Sequence, residues 1–284
     1  MVKFLKALFR RSFLLCLVSF LCCFLLGLVL FFPLSSLKNR AEIMAQRYDI
    51  ILNMKTPQLT FPLGLKSEEV NINHPRLSRP DLTLSSVMLF PLWSTLFGDN
   101  PGGTYSADVW QGEIRGQGFR NGQVTASFSN LTFDERLSPQ LSLRLRGELK
   151  SGAFDGVLPL AGRNRSQLQF EMSDLQLTGL QKVGGQNDLL PIGRINCVAT
   201  AVGSKINIAE LDISGPALTG SGRGTLRLGQ SPATSSANLI LEVTPGADFD
   251  PVLLDMLRLV TTQGKDGKFR IHLRGALNAI KMVK

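Results

Sequence analysis

Two hydrophobic patterns divide the chain, and one gives way to the other near residue 55. Phe13 to Phe32 reads FLLCLVSFLCCFLLGLVLFF, twenty residues without a charge. Rising about 1.5 Å per residue as a helix, such a run covers the roughly 30 Å hydrocarbon core of a bilayer. This predicts a single transmembrane anchor at 12–33. In 34–54, Leu34, Leu37, Ala41, Met44, Ala45, Tyr48 and Leu52 recur at helical spacing, which predicts a helical stalk that Pro57 and Pro62 close.

After residue 55 the period becomes two. Leu141, Leu143 and Leu145 alternate with polar residues, as do Leu168, Phe170 and Met172, and Phe269, Ile271 and Leu273. Similar runs occur at Val124-Ala126-Phe128, Ile195-Cys197-Ala199, Ile206-Ile208, Leu211-Ile213, Leu226-Leu228 and Leu239-Leu241-Val243. Gly, Asn, Pro or Ser separates them, giving roughly a dozen half-buried strands. Two further helices are expected: a short one over Pro91 to Gly98 with a glycine C-cap, and one starting at Asp250-Pro251 and running to Val260. The strands follow one another too closely for crossover helices, so the sheet is expected to be antiparallel. The fold class read from these patterns is mainly β: one N-terminal transmembrane helix, then an elongated, curved antiparallel sheet over 55–284, of groove or flattened-barrel type, with two or three short helices.

Charge supplies the orientation. Of the net +9, Lys3, Lys6, Arg10 and Arg11 contribute +4 within a basic tail at 1–11 that holds no acid. Positive charge beside a spanning helix stays cytoplasmic, so the bulk of the chain is expected outside the cytoplasm. A cleaved signal peptide is the competing reading. The apolar run exceeds the usual 7 to 15 residues and no small-x-small site follows it, while Leu21 before Cys22 argues against a lipoprotein site. The other 273 residues share +5 with no run of five like charges, which leaves nucleic-acid binding without its electrostatic basis.

Candidate chemistry is sparse. His74 precedes a proline, and His272 lies between Arg270 and Arg274 on a polar strand face. Cys16, Cys22 and Cys23 fall in the apolar run, Cys197 alternates with Ile195, and no C-x-x-C is present. Gly220-Ser221-Gly222-Arg223-Gly224 lacks dinucleotide spacing, and Gly264 to Phe269 lacks the rest of a P-loop. No nucleophile elbow or zinc-protease motif occurs, so no enzyme activity, metal or cofactor is expected. Leu143-Arg144-Leu145-Arg146-Gly147-Glu148-Leu149 is echoed by Ile271-His272-Leu273-Arg274-Gly275-Ala276-Leu277 and more loosely by Gly222 to Leu226. Glycine between strand segments permits a bulge or bend, and the 27 glycines are read that way.

A basic N-terminus, one anchor, Phe61-Pro62-Leu63-Gly64-Leu65, the unit Leu82 to Gly98, the stretch Gly103 to Gly118 and Asp266-Gly267-Lys268-Phe269-Arg270-Ile271-His272-Leu273-Arg274-Gly275-Ala276-Leu277 together resemble the type II secretion system protein N family. The likeness covers most of the chain. It implies a non-enzymatic, single-pass inner-membrane protein with its bulk in the periplasm, serving export across the outer membrane with secretion-system proteins as partners. That family is similar to AsmA-like β-rich proteins, which implies as the alternative a groove that binds or transports phospholipid between the membranes. The groove would be lined by Leu141, Leu143, Leu145, Leu168, Phe170, Met172, Phe269, Ile271 and Leu273, unless the same residues form an ordinary core.

Overall fold

The computed structural model describes residues 17, 19–20, 23–24, 27, 34–46, 51–60, 64–73, 81–95, 98–136, 143–160, 162–229, 234–261, 263–264, 266–277 and 279–283. The fold is mainly β: among the described residues fifteen strands join one antiparallel sheet, with few helices. The chain divides into two compact units, Met1–Thr83 and Leu84–Lys284.

In the first unit the described positions between Leu17 and Gly27 are helical. Leu17, Phe20 and Phe24 each leave more than half of their surface exposed, and the rings of Phe20 and Phe24 stack at 6.4 Å. Most of the expected spanning segment, and the topology determinants Lys3, Lys6, Arg10 and Arg11, lie outside the described residues. Among the described residues no helix is long and apolar enough to cross a membrane. The next helix, α1, spans Leu34–Gln46 and carries an i,i+4 Lys38–Glu42 ion pair at 3.8 Å. The segment expected to be helical over 34–54 is thus helix only in its first part. Ile51–Asn53 form strand β1, which with β2 (Gln58–Thr60) pairs along β3 (Gly64–Asn73).

In the second unit the strands run in sequence order, each hydrogen-bonded to the next. They are the body of β4 (Asp81–Pro91), then β5 (Gly102–Val109), β6 (Gly112–Phe119), β7 (Gln123–Arg136), β8 (Arg144–Val157), β9 (Arg165–Thr178) and β10 (Leu189–Val202). They continue through β11 (Lys205–Ser214), β12 (Leu218–Arg227), β13 (Ser236–Pro245), β14 (Phe269–Ala276) and β15 (Ala279–Val283). Antiparallel neighbours need only short turns, which explains how the runs can follow so closely. The segment expected to be a helix at Pro91 to Gly98 ends strand β4 and then makes a single 3₁₀ turn, Trp93–Thr95, with Gly98 N–H donating to the Thr95 carbonyl at 3.1 Å.

The Asp250-Pro251 signal behaves as read: α2 spans Pro251–Val260 with Asp250 as N-cap. Its Leu254 and Leu257 pack on Val243, Phe269 and Ile271, while Leu253 packs on Leu180, Leu190 and Ala217. Partly burying each leucine contributes roughly 1 kcal/mol, enough in sum to hold a ten-residue helix that would be marginal alone. The outer side of α2 keeps Leu259 and Met256 exposed.

Candidate functional site

Residues directly paired across an antiparallel ladder share a face, so the register shows which side chains the sheet brings together. One row crosses nine strands, β6 to β14: Ile114, Phe128, Gly152, Phe170, Cys197, Leu211, Gly222, Leu241 and Ile271. Beside it runs Phe154, Leu168, Ala199, Ile208, Gly224, Leu239 and Leu273, and on its other side Leu131, Leu149, Met172, Ile195, Ile213, Gly220, Val243 and Phe269. Six of the nine candidate groove residues, drawn from two distant strands, therefore lie in adjacent rows of one apolar face. Leu145 pairs with Leu177, and Leu143 packs on the Leu180 cluster. Leu141 lies outside the described residues.

Coverage of this face is uneven. Phe269 and Ile271 are buried beneath α2, while Leu143, Leu145, Leu168, Phe170, Met172 and Leu273 stay half-buried. Small residues punctuate the face. A Cβ on Gly222 would stand 2.5 Å from Leu241 Cδ2 and 3.0 Å from Leu211 Cδ2, so the leucines of the flanking strands close over the glycine. Gly147, Gly152 and Gly156 in β8 meet Leu175, Phe128 and Ser166 in the same way. The pattern of two made the large residues legible, whereas the shared face of the glycines emerges only from the register. Cys197 is buried in the same layer, and burial pushes its thiol pKa up, which keeps it protonated and unreactive.

The opposite face carries more polar side chains, and across it runs a trough of about 1010 Å³ that no sequence motif announces and whose lining also takes in Phe154, Leu168 and Ala199 of the apolar row. It is lined mainly by three consecutive residues from each of the strands it crosses, for instance Thr125 to Ser127, Ala153 to Asp155, Gln167 to Gln169 and Val198 to Thr200. The register orders them: Phe90, Thr104, Gln117, Thr125, Asp155, Gln167 and Thr200 form one row across β4 to β10. Met88, Ser106, Arg115, Ser127, Ala153, Gln169 and Val198 form the next. Arg115 pairs with Glu113, whose hydrogen bond and charge raise the guanidinium pKa above its ordinary value. Beneath the floor the Tyr105 hydroxyl donates to the Thr125 carbonyl at 3.2 Å, and burial pushes its pKa up. Two smaller cavities of about 300 and 320 Å³ lie further along, over β8 to β10 and β11 to β13.

His272 sits half-buried opposite Ile240 on β14, which is followed by a further strand, and His74 lies outside the described residues. Among the described residues no three His, Cys, Asp or Glu side chains gather as a metal ion requires. No protein family, no curated protein and no solved structure matches this chain.

Proposed function

We propose that this chain is a non-enzymatic, inner-membrane-anchored component of a type II secretion pathway, its sheet standing in the periplasm. The support is that the segments carrying the family resemblance coincide with elements of one antiparallel sheet, four near its start and one near its end. Gly64-Leu65 opens β3, Leu82 to Gly98 is most of β4 and its 3₁₀ turn, Gly103 to Gly118 is the β5–β6 hairpin, and Asp266 to Leu277 is the turn into β14 and that strand. The apolar N-terminal run and its basic flank supply the anchor and its orientation. Deleting the gene should remove secreted enzymes from the medium and leave them in the periplasm, with the outer membrane intact. Normal secretion would sink the reading.

One observation favours an AsmA-like second role, in which the sheet within 84–284 curls towards its apolar face and holds acyl chains. A closed core buries its large side chains fully, yet Phe128, Phe154, Leu168, Phe170 and Met172 are only partly buried along adjoining rows. Glycines on that same face are what an inward curl requires. A phospholipid with a photoreactive acyl chain should crosslink the full-length protein at peptides containing Phe154 and Leu168. Crosslinks confined to the first 46 residues would mean that lipid meets only the anchor. Leu168→Asp should abolish the sheet crosslinks while leaving the fold intact, because a charge on an open face stays hydrated; on a closed core it would cost several kcal/mol and unfold the protein.

A further inference from the structure

The polar side chains along the trough are addressed by neither role, since neither export machinery nor acyl chains call for them. Its dimensions define what it can hold. Seven strands at about 4.8 Å spacing span about 29 Å from β4 to β10, long enough for an extended oligomer laid across the strands.

Its chemistry narrows the occupant further. The lining mixes hydroxyls and amides with apolar side chains, Met88, Phe90, Phe154, Leu168 and Val198 among them, with Asp108 and Asp155 as carboxylates and Arg115 already neutralised by Glu113. The formal balance is therefore negative, which disfavours phosphate-rich chains. Among the described residues the side-chain amides of Gln117, Gln167 and Gln169 have no hydrogen-bond partner, and an amide can both donate and accept. Phe90 and Met88 at one end and Val198 at the other add apolar contact. An extended polypeptide is bound through backbone hydrogen bonds at a sheet edge, but here the floor strands β5 to β10 each have a neighbour on both sides and present no edge. We infer that the trough is a binding site for a single neutral glycan chain lying across the strands, its hydroxyls meeting successive strand rows and its sugar faces resting on Phe90, Met88 and Val198.

The test uses the full-length protein in nanodiscs and two fluorescein-labelled probes, a β-1,4-linked N-acetylglucosamine hexamer and cellohexaose, read by fluorescence anisotropy. At least one probe should bind, and the contrast between them reports whether an acetamido group is required. Affinity should stay unchanged between 50 and 500 mM salt, as a neutral ligand requires. The Gln117→Ala/Gln167→Ala double variant loses two hydrogen bonds and should bind about tenfold to a hundredfold more weakly. Ala153→Trp fills the floor from β8 and should abolish binding, with circular dichroism of both variants matching the wild type. The inference is overturned if folded wild-type protein binds neither hexamer at millimolar concentration. It is equally overturned if both variants bind like the wild type, or if an extended Ser-Gln repeat peptide binds more tightly than either sugar.

Discussion

Asp250 shows how one residue can serve a local and a distant purpose. Its Oδ1 accepts from Val252 N–H at 2.9 Å and Leu253 N–H at 3.3 Å, capping α2, while Oδ2 accepts at 2.9 Å from the N–H of Asn187, 63 positions earlier. The Asn187 hydrogen bond, with those from Leu253, Val252 and Gln186, holds the carboxyl pKa below its ordinary value despite burial. A depressed pKa stabilises the fold above the ordinary carboxylate range, and that contribution is lost as pH falls through the lowered value. Asp250→Ala should therefore cost about 1 to 2 kcal/mol in urea denaturation at pH 7, and the gap to wild type should shrink in strong acid. The capping role is legible from Asp-Pro alone because a cap is a local rule. The tether to Asn187 is not, since nothing local encodes a partner so distant. Glycine makes the same distinction. A Cβ on Gly224 would run into the Asn238 carbonyl, whereas one on Gly118 meets nothing within 4 Å. Gly224→Ala should cost about 1 to 3 kcal/mol in thermal denaturation and Gly118→Ala should be neutral or slightly stabilising.

Among the elements, alternation identified strands well and continuity poorly. Phe128 and Leu131 lie on the same apolar face although they are three positions apart, and so do Met172 and Leu175. The phase slips at Asn130 and Asp174, whose φ values of 54° and 52° place them in the left-handed region that Asn and Asp tolerate. A period-two reading therefore cuts one long strand into pieces. The β5–β6 turn was equally opaque: Trp110 and Gln111 both have positive φ, 48° and 66°, in a two-residue turn that usually recruits Asn-Gly. Trp110→Asn/Gln111→Gly should raise the urea midpoint, corresponding to about 1 kcal/mol, by relieving that conformation. The Pro91 to Gly98 segment has one apolar side and a terminal glycine, yet it forms strand and 3₁₀ turn, because Phe90 and Pro91 extend the ladder with Thr104 and Gly103. Sheet pairing outweighed a weak local helical preference.

At the scale of the whole molecule, the large residues of the candidate apolar face could be named from sequence because each strand declares its buried side. Which strands align those sides into rows, and that the opposite side forms a trough, depend on register across many strands, which no single strand specifies. The anchored-secretion reading and the lipid reading make separate demands on the two ends of the chain, and the glycan inference makes a third on the opposite face. The most direct measurement is the protein content of medium and periplasm in the organism that carries the gene, compared between the parent, a deletion strain and the deletion strain carrying the full-length gene. The account predicts that type II substrates vanish from the medium, accumulate in the periplasm and return to the medium on complementation. Unchanged secretion in the deletion strain would contradict it.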